Sequence, residues 1–319
     1  MRVMVIGAGG FLGRRLVEKL ASGEQVGPSR RTSSEILAVD AVPLNTELAN
    51  VTELVGDIRD EAFRRSILTE PVDVVFHLAA IPGGAAEADP AIAWDVNVLV
   101  WKEVLNLLSA RSANPRVVFT SSVAVFGVPM PPDLISDDTI PLPTMSYGGH
   151  KLIGEILLAD ASRRGEIDGI GVRLPGIVAR PKAPTGHLSA FMSDIFHALA
   201  AGEPFVCPVS ADATSWFLSR ERCVENLLHA SCIASDFPAD RRCFTLPALH
   251  LSYIELVAGI AEHFGPQVHE LIRYEPNERL QAQFGAYPRL ETEIADRLGF
   301  RNDGNARELV GRVLGINRS

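Results

Sequence analysis

A tyrosine and a lysine four residues apart, Tyr147 and Lys151, are the pair of side chains best suited to chemistry in this sequence. With four residues of each type, random placement gives this spacing about 0.05 times per chain. On a helix, residues four apart share one face. Lowering the pKa of a phenol from about 10 to ~7 requires about 4 kcal/mol, and one ammonium at ~4 Å in a partly screened site supplies roughly that much. The pair can therefore act as a general base at neutral pH; the alternative is a surface tyrosine beside a solvated lysine.

Two further polar residues are candidates for the same site. Ser122 follows the apolar run Val117–Thr120, where its hydroxyl could orient a reacting oxygen or only satisfy its own turn. Asn97 lies inside the apolar segment Ile92–Ala110, which reads as a helix. A buried amide there needs either a backbone partner or a water relay to the site.

A glycine-rich turn follows the first apolar run, Val3–Ile6, and precedes a helical pattern. Its spacing is GxxGxxG, and glycines allow a tight turn and a close approach of the backbone to a pyrophosphate, while the helix N-terminus offers free N–H groups. A glycine turn without a ligand is the alternative, but the strand before it and the helix after it favour dinucleotide binding. The predicted phosphate-binding residues are Gly7, Gly10, Phe11, Leu12 and Gly13.

Asp40 ends the second apolar run and can accept both ribose hydroxyls of NAD, while it would repel a 2′-phosphate. The insertion Ala21–Ser34, read as an exposed loop, explains its unusual distance from the glycines. Arg30 and Arg31 could instead serve NADP, but the sequence favours NAD. Asp57, after the third run, is placed either to bond the adenine amino group or to cap a helix.

Short apolar runs alternate with amphipathic segments through the first half of the chain, which predicts an α/β fold with a doubly wound parallel sheet of the Rossmann type. We expect a smaller α+β lobe to complete the protein. The predicted dinucleotide-binding domain comprises residues 1–177 and about 212–246, and the predicted substrate lobe about 178–211 and 247–319. The predicted strands are Val3–Ile6, Ile36–Val39, Thr52–Val55, Val72–Leu78, Val117–Thr120 and Ile170–Leu174, and the helices Gly10–Leu20, Ile92–Ala110 and Tyr147–Arg163.

Composition narrows the class of protein. The chain has 319 residues and a formal net charge of −9, which disfavours a nucleic-acid partner. No apolar stretch approaches the ~20 residues of a membrane helix, and no signal-peptide pattern is present. The four cysteines lie outside any zinc-type spacing, so we expect no metal and four reduced thiols in a cytoplasmic protein.

Taken together, these motifs resemble the extended short-chain dehydrogenase/reductase family, which contains the nucleotide-sugar epimerases. They occur in family order over roughly the first 180 residues. The matching motifs are Gly7xxGly10xxGly13, Asp40, Asp57-Ile58, His77-Leu78-Ala79-Ala80, Asp95-Val-Asn97-Val, Ser121-Ser122-Val-Ala-Val-Phe126-Gly127, Tyr147xxxLys151 and Arg173-Leu-Pro175.

The resemblance implies a role for each matching residue. Ser122 would bind substrate, Tyr147 would be the acid/base, and Lys151 would hold the ribose and tune the tyrosine. Asn97 would be the structural and relay asparagine. The cofactor would also be contacted by Asp57 and Ile58 at the adenine, and by Leu78, Ala79, Ala80 and Pro175 at the nicotinamide.

Other segments depart from the epimerases. Phe126 stands where they usually have tyrosine, and Val100-Trp101 where they have Gly-Thr. Ile81-Pro-Gly-Gly-Ala and the segment from Leu174 to Pro181 are most similar to the D-erythronate dehydrogenase subgroup. A sugar-acid substrate needs a partner for its carboxylate, and the candidates are Arg180, Lys182 and His187, each of which could also be a solvated loop residue.

The resemblance implies NAD-linked oxidation of a small sugar acid, D-erythronate at C2 in the favoured interpretation. A nucleotide-sugar epimerase or dehydratase, a uronate dehydrogenase and a non-catalytic NAD sensor are the alternatives. The helices Ile92–Ala110 and Tyr147–Arg163 have more apolar surface than one core needs. We therefore expect a homodimer in which they pair as a four-helix bundle, as in many relatives.

Overall fold

The computed structural model describes residues 1–131, 133–181, 188–235 and 241–316. Its strands are β1 Arg2–Ile6, β2 Gln25–Val26, β3 Arg31–Thr32, β4 Glu35–Asp40, β5 Val51–Val55, β6 Val74–His77, β7 Arg116–Ser122, β8 Leu134–Ile135, β9 Asp168–Leu174, β10 Gly176–Val178, β11 Phe205–Cys207, β12 Thr214–Ser219, β13 Cys243–Thr245, β14 Leu249–Ser252, β15 Ile272–Tyr274 and β16 Arg289–Leu290. Its α-helices are α1 Phe11–Ala21, α2 Glu61–Ile67, α3 Gly83–Ala88, α4 Pro90–Trp94, α5 Val100–Arg111, α6 Ser146–Arg163, α7 Phe191–Ala200, α8 Arg220–Cys232, α9 Tyr253–Phe264, α10 Val268–Leu271, α11 Glu278–Phe284, α12 Glu293–Arg297 and α13 Ala306–Val313.

The central sheet has seven strands in the order β13-β9-β7-β6-β1-β4-β5. The pairs β1–β4, β1–β6, β4–β5 and β6–β7 are parallel, which confirms the predicted fold class. Strands β1, β6 and most of β4 and β7 are buried along consecutive residues, because helices cover both faces of a parallel sheet. The parallel arrangement brings the carboxyl ends of these strands to one edge, where such folds bind ligands.

The sheet belongs to the first of two compact units, which comprises residues 1–125, 145–173 and 224–244. Its core lies between the sheet and helices α5 and α6 and includes the fully buried Trp101. Strands β1, β4, β5, β6, β7 and β9 each contain or overlap a predicted strand, with ends that differ by at most two residues.

The second unit comprises residues 126–144, 174–223 and 245–319. It contains a separate three-stranded sheet, β10-β12-β14, and an apolar core formed with helices α7, α9 and α13. The division after residue 173 lies close to the predicted one at 177. The structure differs in assigning residues 126–144 and 212–223 to the second unit.

Two local predictions were wrong. The insertion Ala21–Ser34 is not a plain loop, because β2 and β3 pair within it as a short antiparallel hairpin that buries Val26. The predicted single helix Ile92–Ala110 is interrupted by a π-helical turn, Asp95–Leu99, between α4 and α5. Periodicity alone does not reveal such a turn, since one residue is added without ending the helix.

The four cysteines are free thiols, as the sequence predicted, and three of them are buried. In the ranges that the structure describes, no group of histidine, cysteine, aspartate and glutamate side chains is arranged to hold a metal ion. Among the described helices, none combines the length and apolar character needed to span a bilayer.

Candidate active site

The glycine turn between β1 and α1 packs directly on the chain that leaves β6. Gly7 has a φ of +91°, and a Cβ atom there would lie 2.6 Å from the backbone nitrogen of Ala79. The N–H groups of Leu78 and Ala79 donate to the Ile6 carbonyl, at 2.8 and 3.0 Å. Only glycine can adopt this backbone angle and tolerate this contact. The glycine turn therefore packs against Leu78 and Ala79, which are predicted to contact the nicotinamide.

The start of helix α1 is shaped to receive an anion. A Cβ atom at Gly13 would lie 2.8 Å from the Cα of Ala8 and would overlap the Gly7 carbonyl, so helix and strand approach as closely as two backbones can. Gly10 is the exposed N-cap and presents no side chain to the helix end. The first-turn N–H groups, which include those of Phe11 and Leu12, thus lie at the electropositive end of the helix.

Asp40 ends β4 directly beside this turn. Its carboxylate accepts the Gly9 N–H at 2.8 Å and the Val42 N–H at 3.0 Å, and it is only partly buried. Two N–H donors leave the carboxylate with further acceptor capacity, which suits ribose hydroxyls. The glycine cradle, the electropositive helix end and this carboxylate fit an NAD molecule.

The arginines considered for NADP lie at the wrong end of the strand. Arg30 and Arg31 belong to the β2–β3 hairpin, which precedes β4, whereas Asp40 is the last residue of β4. Six residues of strand span about 20 Å. A 2′-phosphate beside Asp40 would therefore lie beyond their reach, and the sequence-based alternative of NADP binding through them was wrong.

Asp57 does not cap helix α2, so that interpretation was also wrong: the cap is Asp60, which accepts the N–H groups of Ala62 and Phe63. Asp57 instead pairs with Arg59, whose Nη2 lies 2.6 Å away, and this pairing lowers the pKa of the Asp57 carboxyl. The carboxylate is exposed, while neighbouring Ile58 packs against the core. Contact of Asp57 and Ile58 with adenine remains a prediction.

Asn97 has the backbone partner that the sequence analysis required. It lies in the π-helical turn, and its amide accepts the Ile81 N–H at 2.8 Å and donates to the Ile81 carbonyl at 3.0 Å. The same Nδ2 lies 3.3 Å from Nδ1 of the buried His150. The Asn97 amide thus holds Ile81, which follows Leu78, Ala79 and Ala80 in the chain, against the π-helical turn and near helix α6.

Lys151 is buried in helix α6 with its ammonium against the end of β7. Its Nζ donates to the Thr120 carbonyl at 2.6 Å and lies 5.0 Å from the centre of the Phe119 ring. It also lies 5.7 Å from the centre of the Tyr147 ring. Burial lowers the pKa of Lys151 from 10.5 to about 7, and the nearby carboxylate of Glu155 opposes this shift.

Tyr147 and Ser122 are both partly exposed, so solvent and small molecules can reach them. Ser122 accepts the Ala124 N–H at 3.2 Å, which is the turn contact considered for it above. A hydroxyl that accepts one bond still carries a proton to donate, so this contact is compatible with a role in orienting substrate. Cation and phenol are adjacent, as proton transfer by Tyr147 requires.

The remaining predicted site residues belong to the second unit or lie outside the described ranges. Pro175 is buried directly after β9. Arg180 is exposed; its N–H donates to Ser193 Oγ at 3.0 Å, and its carbonyl lies 2.8 Å from His197 Nε2. Lys182 and His187 fall outside the residues that the structure describes.

The structure adds residues that the sequence analysis did not assign to the site. Glu155, one helical turn after Lys151, forms a largely buried hydrogen-bonded group with Arg173 and Ser121. The signal for Glu155 was present, because it follows Lys151 by four residues and so shares its helix face. Arg173 had no such signal, since its pairing depends on strand β9 lying beside β7.

His77, the last residue of β6, is another buried group near Lys151. Its ring lies 4.5 Å from that of Trp101 and 6.0 Å from that of Phe119, and no described residue forms a hydrogen bond with its Nδ1. Burial first, and then the Lys151 charge, lower the pKa of His77 from 6.5 to about 3. The imidazole is therefore neutral at physiological pH.

This burial predicts an acid-sensitive contribution to stability. His77 takes up a proton near pH 6.5 in the unfolded chain but only near pH 3 in the folded chain, because its folded-state pKa is lowered. The free energy of unfolding therefore falls as the pH drops below 6.5. His77→Leu should reduce the loss of unfolding free energy between pH 6.5 and 5 by about 1.5–2 kcal/mol. Urea unfolding at the two pH values measures it. The exposed His269→Gln variant should behave as wild type, and an unchanged pH dependence in His77→Leu would contradict the prediction.

Comparison with known proteins gives a consistent set of similarities. Residues 3–217 match the model of the NAD dependent epimerase/dehydratase family. D-erythronate dehydrogenase of Cupriavidus necator is 34% identical over 318 residues, covering 97% of each chain. D-erythronate dehydrogenase of Haemophilus influenzae is 31% identical over 319 residues, covering 98% of this chain and 99% of that protein.

Solved structures give the same picture of the fold. A nucleoside-diphosphate-sugar epimerase from Agrobacterium tumefaciens superimposes with a TM-score of 0.90 at 32% identity, covering 99% of this chain and 94% of that one. A GalE-like L-threonine dehydrogenase from Cupriavidus necator, in a holo form, has a TM-score of 0.82 at 23% identity, covering 99% of both chains. The second likeness concerns the fold alone.

Proposed function

Because the chain belongs to the NAD-dependent epimerase/dehydratase family, we propose that it is an NAD-dependent dehydrogenase that oxidises D-erythronate at C2 to 2-oxo-erythronate. Two curated relatives with this named activity match it over nearly their whole length. The observation that carries the proposal is the buried ammonium of Lys151, 5.7 Å from the Tyr147 ring and in the same compact unit as a glycine cradle that fits NAD.

The catalytic roles follow from the chemistry of these groups. Ser122 binds the substrate hydroxyl and holds it toward Tyr147. Tyr147, as phenolate, takes the hydroxyl proton, and the Lys151 cation stabilises the phenolate. When bound, NAD supplies the acceptor for the hydride that leaves C2. The substrate loses one proton and one hydride, which leaves a ketone.

We also propose binding roles for the other candidate residues. The glycine turn and the start of α1 take the pyrophosphate, and Asp40 takes the ribose. Asp57, Ile58, Leu78, Ala79, Ala80, Asn97, Tyr147, Lys151 and Pro175 complete the proposed cofactor contacts. Arg180 and His187 are the proposed cationic partners for the sugar-acid carboxylate.

A screen of four- to six-carbon aldonates and uronates with NAD and NADP tests the proposal. Purified protein should produce NADH with D-erythronate and NAD, and much less reduced cofactor with NADP. Preference for a hexuronate would indicate a uronate dehydrogenase instead. Absence of NADH with every acid would contradict the proposal.

A nucleotide-sugar epimerase is the second candidate, favoured by the similarity to the Agrobacterium tumefaciens structure. An epimerase regenerates its cofactor in each turnover and can keep it bound, whereas a dehydrogenase must release NADH. Retention of NAD through dialysis, together with no net NADH from any sugar acid, would favour the epimerase.

We also propose that the protein is a homodimer that pairs through α4, α5, α6 and the π-helical turn. Large apolar side chains are exposed on these segments: Trp94 is 42% exposed, Leu99 46% and Ile156 61%. Ile156→Glu should convert the dimer to a monomer in light scattering at micromolar concentration, because a carboxylate is costly to bury in an apolar interface. Ile254→Glu, at an equally apolar and 55% exposed position on α9, is the control and should stay dimeric. Wild-type protein that is already monomeric would refute the assignment.

A further inference from the structure

Building on the proposed roles of Tyr147 and Lys151, we propose that Glu155 is a positioning residue for the reaction. Held by Arg173 and Ser121, it sets the charge around Lys151 and fixes helix α6 against the end of β7. Glu155 touches neither substrate nor cofactor in the proposed mechanism. It acts on the reaction through Lys151 and through the position of helix α6.

The Glu155 carboxylate is buried and fully engaged. Arg173 donates from Nε to Oε1 at 2.9 Å and from Nη2 to Oε2 at 2.8 Å, a two-pronged pairing that fixes the orientation of both groups. Ser121 donates its hydroxyl to Oε1 at 2.5 Å. Both charged side chains are largely buried, 13% exposed for Arg173 and 7% for Glu155. A buried pair of this kind imposes one geometry, and loss of either partner leaves an uncompensated charge.

The contacts reach consecutive residues of one strand. Lys151 bonds the Thr120 carbonyl and Glu155 bonds the Ser121 side chain, so two neighbouring turns of α6 are tied to adjacent positions of β7. Ser122 is the next residue along that strand. The position of the Ser122 hydroxyl relative to Tyr147, one helical turn before Lys151, is therefore set by these two ties.

The second role is electrostatic. Lys151 interacts with Tyr147 and Glu155 on its own helix and with His77 on β6. Arg173 on β9 and Cys243 on β13 interact with Glu155. The pKa of His77 is lowered to about 3 and that of the Cys243 thiol is raised, so both are neutral at pH 7. Glu155 thus interacts with two cations, Lys151 and Arg173, and stabilises the charged form of the lysine that burial disfavours.

Lysine titration in the protein without substrate tests the inference directly. The chain has four lysines, so ε-¹³C-lysine labelling gives few NMR signals, and Lys151→Met identifies the one that matters. Glu155→Gln keeps the shape but removes the charge, so the Lys151 midpoint, near 7 in wild type, should fall by about one pH unit. Arg173→Gln removes the cation that pairs with Glu155, so the Glu155 charge acts more strongly on Lys151. The Lys151 midpoint should therefore rise.

Opposite shifts from the two variants separate a charge role from a structural one. A role limited to packing would lower stability in both without moving the midpoint in opposite directions. The Glu155→Gln/Arg173→Gln double variant should return the midpoint toward wild type. Glu103→Gln, at an exposed position on α5, should leave it unchanged. Midpoints equal to wild type in both single variants would overturn the inference, and Arg173→Gln alone still decides it if Glu155→Gln does not fold.

Kinetics distinguish failure of this inference from failure of the proposed function. If D-erythronate is oxidised, Glu155→Gln should lower kcat about 10- to 100-fold with little change in the KM for substrate, and the pH–rate profile should move to lower pH. The shift is acidic because removal of a negative charge makes neighbouring groups release protons more easily. If no sugar acid is oxidised, the proposed function fails while the lysine titration still tests Glu155.

Discussion

Replacement of Tyr147 by phenylalanine is expected to lower NADH production by about 10²- to 10⁴-fold, the usual contribution of a positioned general base. The substitution removes one oxygen atom and keeps the ring whose centre lies 5.7 Å from Lys151 Nζ. Tyr147 is partly exposed, so the folded state should lose little stability. The measurement is kcat with the best sugar acid and saturating NAD.

A binding control gives the Tyr147 result its meaning. NAD affinity, followed by calorimetry, should change far less than kcat, because the glycine turn and Asp40 are untouched. Tyr274→Phe, in the second unit, should retain wild-type kcat. If Tyr147→Phe keeps kcat within about threefold of wild type, the catalytic assignment fails and the non-catalytic NAD sensor becomes the better interpretation.

Replacement of Lys151 by methionine is expected to abolish activity and to stabilise the fold at neutral pH. The pKa of Lys151 is lowered from 10.5 to about 7 by burial, so holding the charged form in the folded protein opposes folding. Methionine has a similar length and no charge. We expect Lys151→Met to raise the free energy of unfolding by about 2–4 kcal/mol at pH 7, after loss of the bond to the Thr120 carbonyl.

The pH dependence of this gain has a definite sign. Between pH 7 and 10.5 the lysine is protonated in the unfolded chain and neutral in the folded chain. The free energy of unfolding of the wild type therefore rises with pH relative to that of the variant. The advantage of Lys151→Met should therefore be largest at or below pH 7 and shrink toward pH 10. Urea unfolding at pH 7 and 9.5 measures it. Lys102→Met, at an exposed position, should show neither effect. If Lys151→Met is less stable than the wild type at pH 7, the prediction that the buried Lys151 charge destabilises the folded protein is wrong.

Such a result would place Lys151, the proposed active-site lysine, among residues retained for function at the expense of stability. It would also explain the surroundings of Lys151. The Thr120 carbonyl, two aromatic rings and the Glu155 carboxylate are all groups that favour a cation. Without them, burial of this depth would leave the lysine neutral and unable to support the phenolate.

The contrast between sequence and structure is clearest in the helix that was predicted over residues 92–110. Its apolar pattern correctly indicated helix, but the sequence could not show the π-helical turn at Asp95–Leu99. That turn accompanies the pairing of the Asn97 amide with both backbone groups of Ile81, sixteen residues away. The need for a partner was evident from a buried amide, whereas the identity of the partner was a tertiary fact.

The sequence by itself determined the elements whose signals are local. The glycine spacing, the strand before it and the helix after it specify the dinucleotide turn, because backbone angle and close approach leave no room for a side chain. The spacing of Tyr147 and Lys151 is also a local signal. Residues four apart on a helix lie on one face, because the helix repeats about every 3.6 residues.

Only the tertiary structure decided which charges are buried and which groups face them. It placed Arg30 and Arg31 at the far end of β4 from Asp40, and it put Arg173 and Ser121 on the Glu155 carboxylate. Residues far apart in the chain meet only when strands take their order in the sheet. Desolvation and ion pairing act over a few ångströms in space, so they remain invisible until that order is known.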